Sequence, residues 1–192
     1  MKDQTWFNAI AISAVAGVLL FGSAMFLVGG HGAPAPAGSR TAGLPEISRT
    51  LAISYNAATG TFDYSTTSLS VPANTRVDVT ITNYDTSTAA LAVPWDNRVI
   101  GTLGGTEQVS SGGGTVTVTS LGPQQISHTF TMFGAFYNLS VPIPPAPSTG
   151  VPSVVTFSIV LTTPGHFEWG CMAYCGTMSP LETMAGTLEV TG

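Results

Sequence analysis

Residues Thr67 to Asp85 read TSLSVPANTRVDVTITNYD. Val77, Val79 and Ile81 alternate there with Asp78 and Thr80, and a period of two turns one apolar face inward and leaves the other wet, which predicts a half-buried strand. Pro72, Ala73, Asn74 and Thr75 supply the turn that separates it from a shorter strand before it. The same texture returns in GTVTVTSLG from Gly114, SVVTFSIVLTTPG from Ser153, HFEWGC from His166 and AGTLEVTG from Ala185. No segment after Val28 carries a helical period. Short strands separated by turn residues predict a mainly β domain, an antiparallel sandwich or barrel.

Composition narrows the setting of that domain. Of 192 residues only 8% are charged and the net charge is −5, with five Lys and Arg in all. No basic patch can form that would neutralise phosphates, which excludes nucleic-acid binding. A polar but uncharged surface suits a domain that faces an exterior medium.

The run from Trp6 to Val28 holds no charged residue. As a helix rising about 1.5 Å per residue it reaches across a hydrocarbon core of about 30 Å. A cleaved signal peptide is the rival reading, with Ala33, Ala35 and Ala37 as small residues near a cleavage site, but the run exceeds the usual signal core of about 7–15 residues. The expected organisation is a transmembrane anchor over 1–30, a Gly/Ala/Pro-rich linker over 31–48 and the β domain over 49–192. That makes the chain a single-pass protein of the cell membrane with its large domain outside. Lys2, Arg40 and Arg49 give little charge bias to orient it.

The chemistry concentrates in GCMAYCGTMSPLETMAGTLEV, Gly170 to Val190, which carries both cysteines and three of the six methionines. HFEWGC reads as a strand ending at Cys171 and MAGTLEV as the last strand, so Cys171 to Thr183 forms the loop between them. Two thiols four residues apart leave three readings open: a small disulfide, which persists outside the cell, a pair of apolar fillers, or part of a metal site. Upstream, ISHTFTM from Ile126 places His128 in a strand-like run. Met132 and Met172 read as core fillers, His31 as a linker residue and His166 as solvent-facing.

Three pieces together, HTF from His128, CMAYCG from Cys171 and MAGTLEV from Met184, resemble the cupredoxin domain of subunit II of haem-copper terminal oxidases, in particular the archaeal and B-type branch with one membrane helix. The resemblance implies a cupredoxin-like sandwich and a dinuclear copper centre of the CuA kind, with no haem in this chain. It implies bridging thiolates from Cys171 and Cys175, terminal ligation by His128 and Met184, and a weak backbone carbonyl from Ala173. Soft sulfur donors of this kind favour copper. The family's second histidine falls at Ser179 here and its methionine at Glu182, so Met184 matches only with a loop two residues longer, and Met178 or Ser179 takes the place of the lost imidazole.

The implied partners are a haem-bearing oxidase subunit I, other membrane subunits, and an electron donor protein or quinol, the last if the copper site is degenerate. Trp169 and Tyr174 beside the thiols are candidates for an electron entry patch. The segment Thr86 to Gln125 reads as an insertion, either an extra hairpin at a partner face or a surface loop. The alternative function is a membrane-anchored copper electron carrier resembling sulfocyanin. Such carriers use one Cys, two His and one Met, whereas this chain has two Cys and one candidate His. No Ser-His-Asp or paired-carboxylate pattern marks it as an enzyme in its own right.

Overall fold

The computed structural model describes residues 43–134, 137–174 and 184–192. The expected membrane helix, most of the linker, and Cys175, Met178 and Ser179 lie outside them. Among the described residues no helix is long and apolar enough to cross a membrane.

Those residues form strands β1 (Glu46–Asn56), β2 (Thr61–Tyr64), β3 (Ser68–Pro72), β4 (Thr75–Asn83), β5 (Glu107–Ser111), β6 (Thr115–Val118), β7 (His128–Phe133), β8 (Leu139–Ile143), β9 (Ser153–Leu161), β10 (Gly165–Gly170) and β11 (Ala185–Thr191). They make two sheets, ordered β2-β1-β4-β9-β5-β6 and β3-β11-β10-β7-β8. Both β4 and β9 alternate buried and half-buried residues along their whole length and pair antiparallel from Thr75 with Leu161 to Asn83 with Ser153. This is the period-two pattern of VDVTI made physical. The inward faces meet in one core that includes Leu51, Ile81, Val155, Phe130 and Trp169.

One expectation needs correction. The sheets are mixed rather than antiparallel, because β1 runs parallel to β4 and β3 parallel to β11. The turn after Pro72 is not a hairpin: it carries the chain from one sheet to the other. Ala73 N–H donates to Thr191 O at 2.7 Å and Asn74 N–H to Leu161 O at 2.8 Å, one bond into each sheet. Asn74 sits at φ 54°, a left-handed conformation that Asn tolerates better than most residues. Strand β1 begins at Glu46, and Ile47 packs against the core.

The 86–125 segment adds the β5–β6 hairpin to the edge of β9 and contains 3₁₀ turns at Pro94–Asn97 and Leu103–Gly105. It is thus more than a surface loop.

Trp169 anchors the second sheet. Its ring lies 4.9 Å from Tyr64, edge-on at 88°, and 5.0 Å from Phe130, while its indole N–H donates to Thr187 O at 3.2 Å. Gly186 pairs with Trp169 across the β10–β11 ladder. A Cβ there would lie 2.3 Å from Thr67 O and 2.6 Å from the Trp169 ring, so the glycine of MAGT is required by close approach. Gly186→Ala should cost about 1–3 kcal/mol, the usual penalty of overpacking, in a denaturant melt; an unchanged midpoint would show that the ring and strand shift freely.

Glu107 opens β5 with its side chain turned inward. It is 1% exposed and neither carboxylate oxygen has a hydrogen-bond partner, so burial pushes its pKa up from 4.5 to about 8. The folded protein holds this proton while the unfolded chain releases it near 4.5. The contribution is therefore greatest below about 4.5 and is lost as pH rises towards 8, on the order of 5 kcal/mol over the window. Glu107→Gln should remove that slope from a plot of unfolding free energy against pH, and parallel curves for the two proteins would contradict the assignment.

Candidate metal centre

The site lies where three strand ends meet. His128 is the first residue of β7, Cys171 follows the last residue of β10, and Met184 precedes β11. His128 is 1% exposed and Cys171 fully buried. Imidazole Nδ1 faces Cys171 Sγ at 3.9 Å, and Nε2 lies 3.0 Å from Asp85 Oδ2.

Asp85 is itself fixed. Its Oδ1 accepts from Ser87 N–H at 2.8 Å and from Ser87 Oγ at 2.7 Å, and its N–H donates to Asn83 Oδ1 at 3.0 Å. Asn83 in turn donates through Nδ2 to Pro144 O at 2.9 Å. The end of β4 thus becomes a chain of short polar side chains that hold one carboxylate oxygen on the imidazole. Burial acts to lower the His128 pKa, but Asp85 on one nitrogen and Cys171 on the other outweigh it and raise it to about 8. Burial acts the opposite way on Asp85, and its hydrogen bonds from His128 and Ser87 leave it below the usual carboxylate range.

Thr129, the middle residue of HTF, ties the strand to the cysteine loop. It is fully buried. Its N–H donates to Cys171 Sγ at 3.4 Å, its Oγ1 accepts from Met172 N–H at 2.7 Å, and its carbonyl accepts from Tyr64 Oη at 2.9 Å. The 86–125 segment clamps the other side of the loop: Ala92 N–H donates to Met172 O at 2.8 Å and Tyr174 N–H to Ala90 O at 2.7 Å. Ala173, also fully buried, brings its carbonyl to 3.8 Å from Cys171 Sγ. Met184 is 1% exposed, and its carbonyl accepts from Cys171 N–H at 2.9 Å.

The structure therefore gathers His128, Cys171, Ala173 and the Met184 backbone, while Cys175 and Met178 fall outside the described residues. Among the described residues no group of three or more His, Cys, Asp and Glu side chains could hold an ion. What they present is a half-site of one imidazole and one sulfur. It fits a soft metal. Bonds of about 2.0 Å to nitrogen and 2.3 Å to sulfur span a gap of this size, and a carboxylate on the far ring nitrogen is the usual outer partner of a metal-bound imidazole.

Trp169 does not reach the surface. It is fully buried in the core, so the expected entry patch reduces to Tyr174, which is 54% exposed. A different line of rings reaches the site. Tyr55, 60% exposed, contacts Phe62 at 5.7 Å between centroids, and Phe62 stands 6.3 Å from the His128 ring. A cavity of about 220 Å³ opens beside it, lined by Phe62, Asp85, Ala89, Ser127, His128 and Tyr174.

No protein-family model matches the sequence, and no curated protein does. Among solved structures the chain is similar to the copper protein rusticyanin at 15% identity over 76% of this chain and 78% of that one, with a TM-score of 0.43. A rusticyanin structure from Thiobacillus ferrooxidans matches at 14% identity over 76% and 77%, with a TM-score of 0.41. Auracyanin B matches at 17% over 77% and 89%, with a TM-score of 0.34. Likeness at these scores carries no weight for the site, whose reading depends on the contacts above.

Removing the carboxylate isolates its effect on the imidazole. In the metal-free protein His128 should titrate near 8 by nuclear magnetic resonance, and Asp85→Asn should move that midpoint down, because burial then opposes the charge with less compensation. A midpoint unmoved by the substitution would mean that Asp85 does not hold the ring.

Proposed function

We propose that this chain is a membrane-anchored copper electron-transfer protein with a cupredoxin-type β-sandwich, serving as subunit II of a haem-copper terminal oxidase. The observation that carries the copper reading is the buried His128 imidazole, with Nδ1 facing Cys171 Sγ at 3.9 Å and Nε2 held by Asp85. Copper bound there would alternate between two oxidation states and so pass single electrons. The residues of the chain do the rest. Asp85 keeps the Nε2 edge occupied and leaves Nδ1 for the metal, Thr129 N–H stabilises charge on the sulfur, and the apolar core excludes water from the site. Rigidity follows from clamping the loop to both Thr129 and the Ala90–Ala92 backbone.

The oxidase assignment is supported by Cys-x-x-x-Cys-Gly together with Met-x-Gly-Thr in the sequence, and by the apolar run before the domain. A second reading, a mononuclear copper carrier, rests on the pairing of one imidazole with one sulfur among the described residues, the remaining donors to a single ion having to come from outside them. Electron spin resonance of the copper-loaded full chain separates the two. Coupling to two copper nuclei supports the subunit II reading, and coupling to one supports the carrier. In either case Cys171→Ser should abolish the signal and leave the circular dichroism of the sandwich unchanged. A colourless protein that takes up no copper, with Cys171 and Cys175 joined as a disulfide, would defeat both.

A further inference from the structure

A second cavity, about 340 Å³, is lined by residues of the 3₁₀ turn at Pro94–Asn97 and of β7, with Val93, Trp95, Asp96, Thr131, Tyr137 and Met172 among its walls. Asp96 is 3% exposed. Its Oδ1 accepts from Ser140 Oγ at 3.1 Å, but Oδ2 is buried with no hydrogen-bond partner. A carboxylate oxygen deprived of both water and a donor is costly, and burial accordingly pushes the acid's pKa up. No Lys or Arg among the described residues pairs with it, and Arg98, two positions on, is exposed.

The neighbouring residue is as unusual in the opposite sense. Trp95 is 59% exposed, although large aromatics on a surface are enriched where partners bind. A buried acid lacking a donor, an open aromatic face and apolar walls at Val93 and Tyr137 together match one kind of side chain. A guanidinium offers several N–H donors, stacks on an indole, and has an apolar stem suited to such walls.

We propose that this cavity receives an arginine side chain from a docking protein, its guanidinium donating to Asp96 Oδ2 and lying over the Trp95 ring. The charge balance agrees, since a chain of net charge −5 is complementary to a basic partner face. The cavity also adjoins the cysteine loop, because Met172 is one of its walls and Ala92 N–H is bonded to Met172 O. Docking here would set the partner next to Cys171. The inference does not depend on copper being bound.

The test uses the full chain in mild detergent, with tryptophan labelled by ¹⁵N and argininamide as the probe. The Trp95 indole N–H resonance, assigned through Trp95→Phe, should shift saturably with argininamide and stay still with citrullinamide, which has the same length without the charge. Asp96→Asn, which retains an acceptor for Ser140, should remove the shift. A readout free of variants is the Asp96 carboxyl carbon resonance, whose titration should move to lower pH when argininamide is present. Equal shifts with both probes, a Trp95 resonance that never moves, or an Asp96 titration unaffected by argininamide would each overturn the proposal.

Discussion

An imidazole sealed from water must have both ring nitrogens satisfied, and in this protein each partner comes from a different part of the fold. Asp85 lies just past the end of β4 in the first sheet, His128 opens β7 in the second, and Cys171 follows β10. The 3.0 Å contact of His128 with Asp85 therefore ties one sheet to the other, while the 3.9 Å contact with Cys171 joins the ends of two neighbouring strands within the second sheet. A slip of one residue in β7 would turn the ring out of the core. The pairing of Thr131 with Gly170 and of Met132 with Trp169 guards against this by holding β7 in register with β10.

The surroundings make that geometry stiff. Thr129 uses its N–H, hydroxyl and carbonyl on Cys171, Met172 and Tyr64, so a single buried residue spans the strand, the cysteine loop and the aromatic core. Tyr64 passes the constraint on to Trp169, and Trp169 to Gly186, which must lack a side chain for the indole to fit. The motif glycine and the motif cysteine are thus linked through packing. If copper is bound there as proposed, such stiffness would favour electron transfer, because a site that barely moves on gaining or losing an electron wastes little energy in rearrangement.

Much of this was legible in the sequence, and the part that was not has identifiable causes. The alternation in VDVTI and SVVTFSIV gave β4 and β9 directly, since both are central strands with one face in the core. HTF and CMAYCG pointed to His128 and Cys171 through their resemblance to the copper motifs of oxidase subunit II, which implies an imidazole and a thiolate at those positions. Asp85 went unseen, yet its signal was present: Asn83, Asp85 and Ser87 at alternate positions are the residue types that bond their own backbone two residues on. Strand partners were beyond reach, because a turn such as Pro72-Ala73-Asn74 reads alike whether it closes a hairpin or crosses between sheets. Trp169, beside the thiols in sequence, could be read either as part of an entry patch or as a packing residue, and its full burial decides for packing. Alternation along β10 places it inward, in line with Phe167.

X-ray absorption at the copper edge of the copper-loaded full chain tests most directly whether His128 and Cys171 hold one ion. The native protein should show imidazole nitrogen and short sulfur scatterers together, with the imidazole pattern lost in His128→Ala and short sulfur scattering reduced in Cys171→Ser. A spectrum of nitrogen and oxygen scatterers alone, unchanged by either substitution, would contradict copper ligation at this pair.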